Sequence, residues 1–213
     1  MIEFLTCPDR GNAMTRFWIA GTRRAFLGAG VAALVAGVPL LYASHRQTAL
    51  RNLRIVQDGV LYRSGQLTPA GFDRVLNDYQ IKTVITLRTV RTPGLPYPDG
   101  WEKDICDARG LKHVRLIPRV WGPDEKGEVP AEENVRQFLA VMDDPANHPV
   151  LVHCFAGIHR TGIMCSIFRM EYDRWPADRA LAEMQACGFD PEDMHEHIEG
   201  YLRNYHPRAS SPR

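Results

Sequence analysis

The chain has 213 residues and a mass of 24.1 kDa, enough for one domain of ~150 residues with an extension and short of two full domains. Hydrophobic residues make up 45% and charged residues 24%, ordinary globular usage that excludes wholesale disorder, a coiled coil and a collagen-like repeat. Lys+Arg (26) and Asp+Glu (25) nearly cancel to a net charge of +1, so no global field favours nucleic acid, and none is expected as a partner. The five cysteines are odd in number and too few for a disulfide scaffold. No CxxC pair or HExxH string occurs, so no metal site is expected.

A basic N-terminal region, residues 1–24, precedes a 20-residue run without charge over 25–44, about the length of a membrane span. Arg23 and Arg24 directly before Ala25 have the pattern of a twin-arginine export signal. Four arginines before the run (Arg10, Arg16, Arg23, Arg24) against three after it (Arg46, Arg51, Arg54) favour the N-terminus inside and the domain outside the cytoplasm. The expectation is an exported or inner-membrane-anchored protein, on the periplasmic side, with 25–44 as signal or anchor. Residues 45–54 read as a linker, 55–206 as the globular domain and 207–213 as a frayed tail.

Within the domain, Asp58-Gly59 between Ile55-Val56 and Val60-Leu61-Tyr62 is a hairpin signal. Thr68-Pro69 pairs a capping residue with a helix-starting proline, for a helix to about Tyr79. Thr83–Leu87, Val114–Ile117 and Val150–Val152 are short apolar runs that suit strands buried on both faces. Between them Pro130 opens a helix with an apolar stripe of Val135, Phe138, Leu139 and Met142. Another helix is expected from about Arg160 through Met170, Trp175-Pro176 ends it or starts the next, and Pro191 opens the last. The alternation predicts an α/β fold: a central, mostly parallel twisted sheet flanked by helices on both faces.

The informative string is His153-Cys154-Phe155-Ala156-Gly157-Ile158-His159-Arg160-Thr161-Gly162, between a buried strand and a helix, where α/β sheets bind ligands. Backbone N–H groups from Phe155, Ala156, Gly157, Ile158, His159 and Arg160 can curl around one anion, and Gly157 permits a backbone conformation that a Cβ would resist. The helix aims its positive end at the same point. Arg160 can give two parallel hydrogen bonds to phosphate oxygens. In that field the thiolate of Cys154 is favoured, because a cysteine of pKa ~8.5 falls by several units at a helix N-terminus. The Thr161 hydroxyl is placed to hydrogen-bond the sulfur. A lone cysteine at a strand end is more often mere packing; the combined string is what raises the functional reading.

These residues resemble the signature of the cysteine-dependent protein tyrosine and dual-specificity phosphatase superfamily, His-Cys-x5-Arg-Ser/Thr-Gly. The resemblance covers most of 55–206. Val60–Gln66 and Ile81–Arg88 resemble the atypical plant-and-fungi-like branch and its bacterial relatives, as does His159 before the arginine. Phe155 and Ile158 stand where inositol-phosphate-specific members tend to carry lysines, and Ala156-Gly157-Ile158 is closer to tyrosine phosphatases.

The resemblance implies in-line attack by Cys154, a phosphocysteine intermediate, transition-state stabilisation by Arg160 and the loop amides, and hydrolysis with no cofactor. It also implies a general-acid aspartate about thirty residues before the cysteine. Asp124, 30 positions upstream in Trp121-Gly-Pro-Asp-Glu-Lys-Gly127, fits that place, with Glu125 and Glu128 as alternatives and a plain solvated turn as the competing reading. His153 is expected to orient the loop. Arg63, Ser64 and Gln66 are expected in a strand-end hydrogen-bond network more than at the phosphate. Arg88 adds positive field or caps the sheet. Trp101, Trp121 and Trp175 are expected to pack, and so is Cys165. A regulatory disulfide of Cys154 with Cys165, Cys106 or Cys187 is the alternative for these thiols. The partner is a phosphorylated protein or a small phosphate ester. Competing functions are an inositol-phosphate or phospholipid phosphatase, and a membrane-anchored phosphate-binding module with little turnover.

Overall fold

The Asp58-Gly59 turn does form a hairpin in the computed structural model, which describes residues 34–39, 49–90, 92, 94–190 and 196–209. Gly59 takes a positive φ of 69°, and Tyr62 Oη donates to Asp58 Oδ1 (2.5 Å). The chain divides into two units, Met1–Arg46 and Gln47–Arg213. Of the first unit only a short helix over 34–39 is described, with Leu34, Val35 and Val38 exposed. The rest of the expected signal or anchor lies outside the described residues. No described helix is long and apolar enough to cross a membrane.

The second unit is built on five strands: β1 (Arg54–Gln57), β2 (Leu61–Ser64), β3 (Thr83–Thr86), β4 (Lys112–Arg115) and β5 (Val150–His153). Their order is β1-β2-β5-β3-β4; only β1 runs antiparallel to its neighbour. β5 is therefore the middle strand, and its last residue, His153, pairs across to Ser64 on one side and Thr86 on the other. The C-terminal edge of a parallel sheet is where this topology places ligands, and Cys154 follows there directly.

All residues of β2, β3 and β5 are buried, as the continuous apolar runs require. One face packs on α1 (Pro69–Asp78) and α2 (Gly100–Ala108), where Phe72, Val75, Cys106 and Leu151 meet. The other packs on α3 (Glu132–Met142), α4 (His159–Tyr172) and α5 (Ala177–Ala186), with Phe138, Ile163, Ile167 and Leu181 against Val150 and Val152. α6 (Glu196–Arg203) joins this layer through Ile198 and Leu202. Thr68 caps α1 as its sequence position predicts, its Oγ1 accepting from Gly71 N (3.1 Å).

Three features depart from the sequence expectation. α2 has no strong signal in its mixed-charge sequence; the Trp101 ring, edge-on to Phe72 at 5.4 Å, ties it to the core. α3 starts at Glu132, after a turn in which Glu132 N donates to Val129 O (3.0 Å). Arg208, expected in a frayed tail, is instead held fast. Its guanidinium donates to both oxygens of Asp143 (2.7 and 3.0 Å) and to Glu171 Oε2 (2.9 Å), a fully buried carboxylate.

Candidate active site

The loop Cys154–Ile158 leaves β5 and enters α4 at His159. What shapes it comes from outside the loop. The Phe155 carbonyl accepts from Gln66 N (2.9 Å), the Ala156 carbonyl from Asn52 Nδ2 (2.8 Å), and the Gly157 carbonyl from Arg63 Nη2 (2.8 Å). A trans peptide sets each N–H opposite the preceding C=O. Three successive carbonyls tied outward therefore turn the amides of Ala156, Gly157 and Ile158 the other way. Gly157 N indeed donates to Cys154 Sγ, at 3.2 Å. The result is a concave row of donors over a buried sulfur, which suits an anion.

Gly157 is forced on two counts. Its φ is +75°, and a Cβ there would meet Gly65 N at 2.4 Å and Ser64 C at 2.6 Å. Gly65 makes room from the other side: a Cβ on it would meet Ala156 O at 2.8 Å.

Arg160, in the first turn of α4, donates through Nη1 to Leu87 O (3.0 Å) and borders a cavity of about 330 Å³. Leu87, Arg119, Trp121, Asn134 and His159 are among its other walls. His159 stands edge-on to Phe189, ring centroids 5.9 Å apart. Phe155 is exposed, with the Arg51 and Arg88 guanidinium carbons 4.3 and 5.4 Å from its ring centroid. Arg51, Arg63, Arg88, Arg119 and Arg160 make no ion pair among the described residues. Arg63 is buried and holds the Gly157 carbonyl, Arg160 and Arg119 border the cavity, and Arg51 and Arg88 stand over the exposed Phe155.

The other sequence-selected residues fall less simply. Thr161 is fully buried, but among the described residues its hydroxyl makes no hydrogen bond, to the sulfur or otherwise. Asp124 is exposed, and its Oδ1 accepts from Lys126 N (2.8 Å) and Glu128 N (2.9 Å), closing its own turn. Asp124, Glu125 and Glu128 do not line the cavity beside Arg160, whereas Arg119 and Trp121 from the same loop do. Trp121 packs edge-on to Tyr201 at 4.9 Å.

His153 is buried behind the sulfur, its Nε2 lying 2.9 Å from Glu102 Oε2. Asp99, Glu102 and His153 each offer one donor atom within 4.8 Å of the others. The protein's own donors already occupy both acids: Thr86 Oγ1 (2.6 Å) and Arg115 hold Asp99, and Gln66 Nε2 (2.5 Å) holds Glu102. Burial raises the Asp99 carboxyl, but the Thr86 hydrogen bond and the Arg115 charge outweigh it and leave it below the usual range. Asp99 Oδ1, Glu102 Oε2 and both ring nitrogens of His153 are nonetheless buried without a hydrogen-bond partner among the described residues, so the group is closely packed without being a closed hydrogen-bond network.

Cys106 and Cys165 are buried, and burial pushes their thiols up to about 12 and about 11. All four described cysteines are unbridged.

Sequence reasoning missed Asn52 and Glu102 and set Arg63 and Gln66 aside. All four act through contacts between residues at least 36 positions apart, which no local pattern encodes. Asn52 alone left a trace, its φ of +48° being one that asparagine tolerates better than most residues.

A family model described as "DSP-PTPase phosphatase fused to NAD+ Kinase" matches residues 41–199. The chain is 30% identical over 141 residues to "Inositol diphosphatase DSP5" of Arabidopsis thaliana, covering 64% of this chain and 61% of that one. It is 40% identical over 94 residues to "Dual specificity protein phosphatase TpbA" of Pseudomonas aeruginosa, 44% of this chain and 42% of that one. It thus spans about three-fifths or less of the length of these curated relatives. A crystal structure of a P. aeruginosa TpbA variant in complex with phosphotyrosine superposes with a TM-score of 0.55 at 22% identity, over 72% of this chain and 83% of that one. That likeness is one of fold. With the signature loop, the strand order and the family match over 41–199 in agreement, the chain belongs to the dual-specificity phosphatase (DSP-PTPase) family.

Proposed function

We propose that this protein is a phosphomonoester hydrolase of the protein tyrosine and dual-specificity type, working through a phosphocysteine. The observation that carries it is the outward tethering of three successive loop carbonyls, which leaves Gly157 N 3.2 Å from Cys154 Sγ and the neighbouring amides facing the same hollow. A phosphate there meets the amides and the α4 N-terminus, within reach of the Arg160 guanidinium. Cys154 attacks phosphorus in line, the P–O bond to the leaving group breaks, and the loop donors stabilise the equatorial oxygens. Water then hydrolyses the phosphocysteine. Thr161 hydrogen-bonds the sulfur in the liganded loop, where its buried hydroxyl gains the partner it lacks.

The acid step is assigned to Asp124. It shares a loop with Arg119 and Trp121, which border the cavity, and it reaches a leaving group once the loop shifts and its two turn hydrogen bonds give way. Asp124→Asn is expected to lower kcat by about 10²–10⁴-fold on an alkyl phosphate and far less on para-nitrophenyl phosphate. Equal losses on both would move the acid elsewhere.

A second reading, a phosphatase for inositol phosphates or other polyphosphates, is favoured by Arg51 and Arg88 over the exposed Phe155. A panel of phosphotyrosine and phosphoserine peptides, inositol phosphates and phospholipids, run with wild type and Cys154→Ser, separates the two. Equal residual rates in both proteins would leave only a binding module. The uncharged run over 25–44 supports export or membrane anchoring with the domain on the periplasmic side; fractionation that finds the full-length protein in the soluble cytoplasm would overturn it.

A further inference from the structure

Glu102 is a carboxylate in an expensive place. It projects from α2, is 1% exposed and lies against His153, the residue before the nucleophile. An apolar side chain is the cheaper occupant of such a site unless the charge does something. Its neighbour Asp99 is accounted for by Arg115 and Thr86. Glu102 has no arginine or lysine partner among the described residues. One oxygen lies 2.9 Å from His153 Nε2, a close polar contact without hydrogen-bond geometry, and the other accepts from Gln66 Nε2 (2.5 Å).

Those two partners hold the two ends of the first turn of the phosphate loop. His153 is the residue before Cys154, and its backbone oxygen accepts from Leu87 N (2.8 Å), so the sheet fixes its main chain and Glu102 faces its ring. Gln66 ties down the carbonyl of the residue after Cys154, through its own N–H to Phe155 O (2.9 Å). Its Oε1 accepts in turn from Arg88 Nη1 (2.7 Å), so the side-chain amide is held from both sides. One carboxylate thus links the residue on either side of the nucleophile.

We propose that Glu102 is a positioning residue for Cys154: it bridges His153 and Gln66 and so sets where the sulfur lies under the loop amides. This rests on the phosphohydrolase reading, but its consequence reaches the sulfur whether or not turnover occurs. An error of about 1 Å in such a placement costs about 10²-fold in rate.

The test uses the full chain with Glu102→Ala, Glu102→Gln, Gln66→Leu and, as a control of equal burial, Asp99→Asn. Four quantities are read: melting temperature, kcat and KM for para-nitrophenyl phosphate, and the rate of Cys154 alkylation by iodoacetate across pH. Glu102→Ala is expected to lower kcat about 10- to 100-fold and to alter the alkylation profile. Glu102→Gln, which keeps an acceptor for Gln66, recovers most of both. Gln66→Leu breaks the same bridge from its other end and covers the case in which Glu102→Ala does not fold. Asp99→Asn is expected to lower the melting temperature with a normal alkylation profile. The proposal is overturned if folded Glu102→Ala or Gln66→Leu keeps wild-type kcat and alkylation, or if Asp99→Asn alters both as much at the same melting temperature. Absence of turnover by the wild type would defeat the hydrolase reading instead, while alkylation still reports on Glu102.

Discussion

Two sets of arginines divide the catalytic domain. At the C-terminal side of α4, Arg169 pairs with Asp173 and Glu183, Arg203 with Asp178 and Glu199, and Arg208 with Asp143 and Glu171. At the N-terminal end of the same helix, Arg51, Arg63, Arg88 and Arg160 have no ion-pair partner among the described residues. They meet backbone carbonyls, an amide side chain or a ring. In one region the protein cancels its own charge and gains rigidity; in the other it leaves the charge for a ligand to cancel. A chain with a net charge of only +1 can therefore hold a strongly positive hollow, because the field that matters is local.

The largest effect should come from the sulfur on which that hollow converges. Cys154→Ser is expected to lower kcat by about 10⁴-fold or more, with the melting temperature retained, in steady-state and burst kinetics. Iodoacetate should label Cys154 and be blocked by inorganic phosphate. Cys106 and Cys165, pushed up to about 12 and about 11 by burial, should stay unlabelled. Next, Arg160→Lys keeps the charge but loses the fork, and is expected to cost about 10²–10³-fold in kcat at unchanged stability. Wild-type activity after that exchange would break the contrast between the two arginine sets.

Gly157→Ala should cost both stability and rate. The positive φ and the 2.4 Å approach to Gly65 N leave no room for the methyl, for roughly 1–3 kcal/mol in a denaturant titration. The far set answers to pH and not to substrate. Hydrogen bonds from Arg208 lead the causes that hold the Asp143 carboxyl below its ordinary range. A lowered folded-state pKa adds stability that is present above the unfolded value, near ~3.9, and is lost as pH falls through the folded one. Arg208→Ala is accordingly expected to lower the melting temperature at neutral pH, to flatten its decline below about pH 4, and to leave kcat within about twofold. A large loss of activity would mean the two regions are coupled through α4.

Legibility followed the range of the contacts. The Asp58-Gly59 hairpin, the Thr68 cap and the buried strands depend on neighbours within a turn or a strand, the Cys154–Arg160 loop is marked by residue types at a fixed spacing, and each lies where its local pattern puts it. α2 escaped because its helix is secured by tertiary contacts of Trp101 and Ile105 rather than by capping: Asp99 stands at its start without a side-chain cap bond. Asp124 shows the opposite risk. Its loop position is right for an acid, yet the same Pro-Asp-Glu-Lys-Gly string that marked it also builds the turn that now holds its carboxylate.

The amino-acid sequence alone determined the nucleophile, the guanidinium and the glycine between them, since an anion-binding loop needs those residue types at that spacing and little else supplies them. Only the tertiary structure decided which way the loop faces. Asn52, Arg63 and Gln66 come from segments 89 or more residues earlier in the chain, and a carbonyl turns outward only where folding brings it a donor.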